Sequence, residues 1–274
     1  MPAIQSIQSN ASAMGMLRNL QQNQNSASQA IQKLASGLRI NQAKDDAAGL
    51  AISERMRALI GGMEAASSNV MDAMSMLDTA EGGMGVIQSM LQSMRGLATK
   101  AASGTMSEED RSMLGGEFSQ IMDGINQIAS SNSYNNMKLL DGSQVNFQIG
   151  PDAAGYDQLS YRLGDLSISG MGLEGLDIST AEGAKSAMDT LSGTINMVSQ
   201  QRGSVGAQAN RLAYTYDSLQ TSMENLMGAE SRIRDADMSM EMMRYSQSNL
   251  LKQTNQTMLG LSLKQSQNFL NLLI

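Results

Sequence analysis

The chain has 274 residues with no His and no Cys, which excludes thiolate chemistry and the commonest acid–base group and metal ligand. Aromatic residues make up only 3% and Met occurs 25 times, so Met, Ala, Leu and Ile must fill the interior. The formal net charge of −7, without a basic stripe, argues against nucleic-acid binding, and we expect a mainly α protein without cofactor or metal.

The first element is a helix over residues 4–38, with apolar residues at heptad spacing among Gln, Asn and Ser. The apolar positions are Ile4, Ile7, Ala11, Met14, Leu17, Leu20, Ala27, Ile31 and Leu34. Their spacing slips by three residues near Leu17, which predicts a stammer in a coiled coil.

A second, longer heptad pattern runs without a break from Ala66 to Ala101. Its members are Ala66, Val70, Ala73, Leu77, Ala80, Met84, Ile87, Leu91, Met94, Ala98 and Ala101. The alternating steps of four and three predict a helix that packs as in a coiled coil. Gly82, Gly83 and Gly85 lie inside it and each costs about 1 kcal/mol of helix propensity, so tertiary packing must hold this segment.

A third helix is predicted to begin at Ser107, because Asp110 follows three residues later as in an N-terminal cap. Its apolar stripe is Leu114, Phe118, Ile121, Ile125 and Ile128, and a Ser-Ser-Asn-Ser run ends it. The short connection predicts an antiparallel pair with the preceding helix.

The only strand pattern lies near residues 144–164. Val145, Phe147 and Ile149 alternate with polar residues, as do Leu159, Tyr161 and Leu163. A turn-like Gly-Pro-Asp-Ala-Ala-Gly separates them, which predicts a β-hairpin.

The last long heptad pattern extends from about Thr180 to Met240, with polar exceptions at Arg202, Glu230 and Asp237. A polar residue at such a position costs stability and usually fixes register. The three long patterns predict helices that bury each other in a rod-like antiparallel bundle.

The C-terminal segment 246–274 resembles the N-terminal one in being apolar and nearly uncharged. Its apolar residues are Leu250, Leu251, Met258, Leu261, Leu263, Phe269, Leu270, Leu272, Leu273 and Ile274. No acidic residue occurs before Asp45 or after Glu241. We expect the two ends to pair as an inner coiled coil and then to contact further copies, and a contact whose rotation does not close gives a helical filament.

Four segments resemble the signatures of bacterial flagellins: LASGLRINQAKDDAAGLAISERMR at 34–57, AESRIRDADM at 229–238, SQQRGSVGAQANRL at 199–212 and YNNMKLLDG at 134–142. The resemblance covers roughly residues 1–142 and 184–274. It implies a minimal flagellin without outer domains. The implied inner domain is 1–40 with 241–274, and the implied helical core domain is 41–240.

The resemblance also implies a structural, non-enzymatic role in swimming motility. It implies unfolded export by the flagellar type III system without a cleaved signal peptide, and assembly into an extracellular filament. The polar start and the lack of a membrane-length apolar run, taken alone, would suggest a cytoplasmic protein. Implied partners are other copies of the chain, the export apparatus, an export chaperone within about 246–274, and the hook-associated junction and cap proteins.

Two charged clusters flank the implied boundary between the inner and core domains. The residues are Arg39, Lys44, Asp45, Asp46, Arg232, Arg234 and Asp235. One interpretation is an ion-pair site, between subunits or between the clusters, that locks the junction. The other is a solvated loop that caps a helix, and a divalent metal at Asp45 and Asp46 is disfavoured for lack of further oxygen ligands.

In many flagellins the first core helix is sensed by a vertebrate Toll-like receptor, and the resemblance places that stretch at 92–97, with support from Glu117. Gln92, Arg95, Leu97 and Glu117 match the family pattern. Ser93 and Gly96 stand where recognised flagellins carry charged residues. The loss of charged anchors predicts weak or absent receptor activation, which a reporter-cell assay would measure.

Two other classes of protein compete with this interpretation. A hook–filament junction protein would share the ends and the export route but would show weaker signatures and a different middle. A secreted coiled-coil effector would not need matched terminal helices. Enzymatic flagellins with an inserted metalloprotease require a His-containing zinc motif that this chain lacks.

Overall fold

The computed structural model describes residues 11–271, without the side chains of Ala11, Ser12, Tyr156 and residues 266–271. The helices are α1 (Ala11–Ser36), α2 (Ala47–Ala101), α3 (Glu108–Ser131), α4 (Ala181–Arg234) and α5 (Met238–Asn271). The strands are β1 (Ser133–Tyr134), β2 (Met137–Lys138), β3 (Gln144–Gln148) and β4 (Gln158–Arg162), with a 3-10 turn at Gly155–Asp157. The predicted mainly α fold is confirmed. No helix among the described residues has the length and apolarity needed to cross a membrane.

Helix α2 buries every position of the predicted heptad pattern. All eleven residues from Ala66 to Ala101 that the pattern names are buried, and the least buried of them exposes only 2% of its surface. They pack with Phe118 and Ile125 of α3 and with Leu191, Val198 and Leu212 of α4 in one hydrophobic core. The heptad spacing therefore identified the packed face of α2 correctly.

The start of α3 is capped as predicted. The Ser107 hydroxyl accepts a hydrogen bond from the Asp110 backbone N–H at 3.1 Å, and the Asp110 carboxylate accepts one from the Ser107 N–H at 3.3 Å. This reciprocal capping box satisfies two N–H groups that the first turn of a helix leaves without partners.

The predicted β-hairpin is present. β3 and β4 pair antiparallel, with Val145 opposite Tyr161 and Phe147 opposite Leu159. Leu159 and Tyr161 are buried while their neighbours on β4 are exposed, so one face of the hairpin covers the helical core. This alternation is the period of two from which the hairpin was predicted.

A second, two-residue hairpin precedes it and was not predicted. β1 and β2 pair antiparallel across Asn135 and Asn136, whose φ angles are +46° and +66°. A tight type I′ turn needs positive φ at both central residues, and Asn tolerates that conformation better than most residues. The Asn-Asn pair was therefore the available signal.

Helix α4 ends earlier than its heptad pattern suggested. It stops at Arg234, and α5 begins at Met238. Asp237 is therefore not a packed position of a continuous helix, which corrects the prediction. Its carboxylate accepts hydrogen bonds from the backbone N–H groups of Ser239 and Met240 at 2.9 and 3.1 Å, so it caps the start of α5.

The chain divides into two compact units. One unit contains residues 59–224 and holds the hydrophobic core of α2, α3, α4 and the β3–β4 hairpin. The other contains the described residues 11–58 and 225–271. The division falls inside α2 and α4, whereas the predicted domain limits near 40 and 240 lie close to the end of α1 and the start of α5.

Candidate polymerisation surface and junction

Helices α1 and α5 form an antiparallel pair within the terminal unit. At one end of the pair, Lys33 of α1 lies 3.8 Å from the Glu241 carboxylate of α5. Next to this end, Leu38 and Asp235 form an isolated antiparallel β-bridge between the segments that follow α1 and α4. Half-buried or buried residues recur at heptad spacing along both helices. On α1 they include Ala13, Met16, Leu20, Asn23, Ala27, Ala30 and Leu34, and on α5 Glu241, Tyr245, Ser248, Lys252, Asn255, Leu259 and Ser262. The terminal helices therefore pair as the predicted inner coiled coil.

The contact between these two helices is made mostly by small and polar residues. Because Ala and Ser have short side chains, the two backbones approach closely, and Cα atoms of α1 and α5 repeatedly lie within 8 Å. The heptad spacing runs from Ala13 to Leu34 without interruption, so the predicted slip near Leu17 is wrong for this contact. Leu20 and Leu34 lie on the contact, whereas Met14 and Leu17 lie outside it.

The large apolar side chains of the terminal helices are exposed. Met14 and Leu17 on α1 expose 60% and 47% of their surface. The exposed apolar residues of α5 are Met238, Met240, Met242, Met243, Leu250, Leu251, Met258, Leu261 and Leu263. Of the other residues predicted for polymerisation, Ile4, Ile7 and Leu272 lie outside the described residues, as do the side chains of Ala11 and Phe269. In the single chain, the described apolar positions of α5 are thus left largely without partners.

Backbone hydrogen bonds join the segments that follow α1 and α4. The Arg39 N–H donates to the Arg234 carbonyl at 2.6 Å, and the Ala236 N–H donates to the Gly37 carbonyl at 2.9 Å. Gly37 has a φ of +71°, a conformation that side chains with a Cβ rarely adopt, and it allows the chain to turn out of α1. Two predicted junction segments, around Arg39 and around Asp235, are therefore adjacent in the structure.

Arginine side chains reinforce this junction. The Arg39 guanidinium donates to the Ile233 carbonyl at 2.5 Å. Arg234 is buried and donates to the Glu54 carboxylate of α2 at 2.6 Å, a partner that the sequence analysis did not name. Charge-assisted bonds of this length are stronger than neutral ones, and Glu54 keeps the buried guanidinium from being an unpaired charge.

Asp45 and Asp46 cap backbone rather than pairing with the arginines. The Asp45 carboxylate accepts from the N–H groups of Gln42 and Asn41, which hold the pKa of Asp45 below its usual value of 3.8. Asp46 accepts from the Gly49 N–H at 2.9 Å at the start of α2. Among the described residues Lys44 and Arg232 are exposed and form no ion pair, so pairing of these charges between copies stays a prediction.

Glu241 is a buried acid that the sequence analysis missed. It exposes only 6% of its surface, and its carboxylate lies 2.8 Å from Arg244 and 3.8 Å from Lys33. The two cations compensate a carboxylate that would be costly to bury alone. The available signal was its place as the last acidic residue of the chain, at the start of the pattern shared with Tyr245 and Ser248.

The residues that the resemblance assigned to a receptor-like face do not all lie on the surface. Gln92, Ser93 and Arg95 of α2 and Glu117 of α3 are exposed. Leu97 is 8% exposed and belongs to the hydrophobic core. In the single chain the exposed part of that face therefore excludes Leu97.

Comparison with known proteins assigns the family. The model of the bacterial flagellin N-terminal helical region matches residues 7–145, and that of the C-terminal helical region matches residues 188–273. The flagellin of Halalkalibacterium halodurans is 42% identical over 97% of this chain and 99% of its own length. The chain belongs to the bacterial flagellin family. The flagellin of Bacillus subtilis is 38% identical over 97% of this chain and 99% of its own.

A solved structure shares the fold of this member of the flagellin family. A putative flagellar hook-associated protein from Vibrio parahaemolyticus has a TM-score of 0.59 and 13% identity, and the match covers 70% of this chain and all of that one. At this identity the likeness concerns the fold alone.

Family membership settles the general role of the chain. As a flagellin it is a structural protein and not an enzyme, and it polymerises with copies of itself into the extracellular filament of the bacterial flagellum. Motility through that filament is its function.

Proposed function

We propose that the exposed apolar residues of α1 and α5 form the surface through which the chain polymerises. The observation that carries this proposal is the distribution of side chains around α5. Mostly small and polar residues face α1, whereas Leu251, Met258 and Leu261 expose 42%, 50% and 58% of their surface. Large apolar side chains that are exposed together along one helix often mark a surface that another molecule covers.

Charge supports the same surface. No acidic residue precedes Asp45 or follows Glu241, and Glu241 itself is neutralised by Lys33 and Arg244. Copies whose ends come together therefore bring few like charges into close contact. The described exposed apolar residues also lie on more than one side of α5, which fits contact with several neighbours. At about 100° per residue, Leu250 and Leu261 point in nearly the same direction, whereas Leu251 and Leu263 point to two other sides.

Substitution of the surface by glutamine tests the proposal. Leu251→Gln, Met258→Gln and Leu261→Gln together remove apolar area while keeping good helix formers in α5. We expect filament elongation to fall by about tenfold for each side chain that assembly buries. Electron microscopy and sedimentation of the polymer measure this result.

A matched control removes similar exposed apolar residues from the core unit. Met71→Gln, Val86→Gln and Met113→Gln alter side chains that expose 49%, 50% and 68% of their surface. This control should elongate at close to the wild-type rate. Wild-type elongation by the α5 variant, or an equal loss in both variants, would refute the proposed surface.

We also propose that the chain is exported through the flagellar type III route and that a chaperone covers residues 246–274 before export. The support is the row of exposed apolar residues on α5, which would associate prematurely in the cell. The same residues are proposed to meet the hook-associated junction and cap proteins. Co-purification of the chain from a flagellated host, with and without 246–274, tests the chaperone contact, and retention of the chaperone by the truncated chain would disprove it.

A further inference from the structure

Four methionines lie within six residues at the start of α5. Met238, Met240, Met242 and Met243 expose 46%, 45%, 61% and 65% of their surface. Elsewhere in the chain, Met76, Met84 and Met94 are buried in the core of the other unit, with 2% exposure or less. The start of α5 is thus a dense group of accessible thioethers.

The composition makes exposed methionines the principal target of mild oxidants, and the start of α5 holds four of them within six residues. The chain has no Cys, His or Trp, so methionine is its only sulfur-containing residue. Oxidation follows the accessibility of the sulfur, and methionine sulfoxide is polar where methionine is apolar. Buried methionines of the core are shielded, whereas those of α5 meet solvent.

The helix geometry keeps the four sulfurs outside the α1–α5 contact. Met238 and Met242 are four residues apart and share one side of α5, and Met240 and Met243 are three apart and share another. Between them Glu241 faces inward and is held by Lys33 and Arg244. With Glu241 turned toward α1, the neighbouring methionines face outward.

We propose that residues 238–243 form an oxidative modification site at which peroxides convert methionine to methionine sulfoxide and thereby prevent a free subunit from assembling. In each step the O–O bond of hydrogen peroxide breaks and one of its oxygens forms an S=O bond with the thioether sulfur. The other oxygen leaves as water with both hydrogen atoms. The sulfur is oxidised by two electrons and the peroxide is reduced. This inference rests on the proposed polymerisation surface, of which the start of α5 is a part.

The physical reason for the block is the cost of burying a polar group. A sulfoxide oxygen accepts hydrogen bonds from water in the free subunit and would lose them against an apolar neighbouring copy. On this proposal, neighbouring copies cover these sulfurs once a subunit is in the filament. The same peroxide dose should therefore modify free subunits and spare assembled ones.

The test compares assembly of the full-length chain before and after limited treatment with hydrogen peroxide. The test variant carries Met238→Leu, Met240→Leu, Met242→Leu and Met243→Leu, which keep the apolar volume. The control variant carries Met71→Leu, Met113→Leu and Met137→Leu, which are exposed in the core unit. Both the test variant and the control also carry Met14→Leu and Met258→Leu, because these two exposed methionines belong to the polymerisation surface and would be oxidised as well. Treated wild type and control should elongate about tenfold more slowly for each sulfoxide left unpaired, and the test variant should elongate as before.

Two further measurements keep the proposal open to refutation even if the test variant assembles poorly. Peptide mapping by mass spectrometry should find sulfoxide at 238–243 enriched in the subunits of treated wild type that fail to assemble. Treatment with methionine sulfoxide reductases of both stereospecificities should restore assembly. Equal sulfoxide in assembled and unassembled fractions, or undiminished assembly of oxidised wild type, would overturn the proposal.

The experiments distinguish an error in the oxidation site from an error in the proposed polymerisation surface. If the glutamine variant of Leu251, Met258 and Leu261 assembles normally, the surface itself is wrong. If that variant fails while oxidised wild type assembles, only the oxidation site is wrong.

Discussion

At the scale of single residues, the cap of α3 shows local sequence acting through local structure. The Ser107 hydroxyl lies 2.7 Å from the Asp110 carboxylate and also accepts the Asp110 backbone N–H. The hydrogen bond from the Ser107 hydroxyl, followed by that from its backbone N–H, holds the pKa of Asp110 below its usual value of 3.8. A carboxyl whose folded pKa is depressed adds stability at neutral pH, and this contribution disappears as the pH falls through the folded pKa.

Replacement of Ser107 should change both the stability of the chain and the pKa of Asp110. We expect Ser107→Ala to lower the free energy of unfolding at neutral pH by about 1 kcal/mol, the usual contribution of an N-cap hydroxyl. The pKa of Asp110 should move up toward 3.8. Urea unfolding at neutral and acid pH, with an NMR titration of Asp110, measures both. Ser112→Ala, an exposed serine of the same helix, is the control, and an equal loss in the two variants would contradict the cap assignment.

At the scale of elements, helix α2 contains glycines that are not equivalent. A Cβ at position 83 would collide with the Asn132 side chain, whose amide donates to the Thr79 carbonyl at 3.2 Å. A Cβ at position 82 or 85 would meet open space. Gly83 is therefore required by the close approach of the segment after α3, whereas Gly82 and Gly85 only weaken the helix.

This difference predicts opposite effects of one substitution at neighbouring positions. Gly82→Ala should stabilise the chain by about 1 kcal/mol, because alanine is the better helix former and nothing obstructs it. Gly83→Ala should destabilise the chain, because the new Cβ displaces the Asn132 side chain and its hydrogen bond to Thr79. Thermal unfolding of the two variants measures the sign. Stabilisation by both substitutions would show that the segment after α3 does not pack against α2 as described.

Two of the element predictions depended on which residues face a partner helix. The polar exception Arg202 of α4 donates to Glu81 of α2 at 2.5 Å and to Gln88 at 2.5 Å, so it contributes a specific polar contact between the two helices. On α1 the prediction placed Met14 and Leu17 on the packed face, whereas small residues such as Ala27 and Ala30 occupy it. Apolar periodicity cannot distinguish a face that packs within the chain from one that packs between chains.

At the scale of the whole molecule, buried apolar surface is distributed unequally between the two compact units. The unit of residues 59–224 contains the hydrophobic core from Ala66 to Leu219. In the described part of the terminal unit the buried apolar residues are Ala27, Ala30 and Ile40, two of which are small. Stability should therefore differ between the units of the free chain.

Hydrogen exchange of the monomer should reveal that difference. Amides of α1 and α5 should exchange about three orders of magnitude faster than those of α2 between Ala66 and Ala101, because local opening of a poorly buried helix pair is far less costly than unfolding the core. In the assembled filament the exchange of α1 and α5 should slow markedly. Equal protection of α5 and α2 in the monomer would mean that the ends are already stably folded in the free chain.

The amino-acid sequence by itself determined the helical class, the packed face of α2, the cap of α3 and the β3–β4 hairpin. These features depend on periodicity and short-range hydrogen bonding, which a single segment encodes. Its family signatures also indicated the polymerising role. Tertiary structure alone decided that Arg234 pairs with Glu54, that Leu97 is buried and that α1 meets α5 mostly through small and polar residues. Each of these features is a contact between groups that are distant in the sequence. Many pairings of apolar and charged residues satisfy the same local pattern, so only the packing of the whole chain selects one of them.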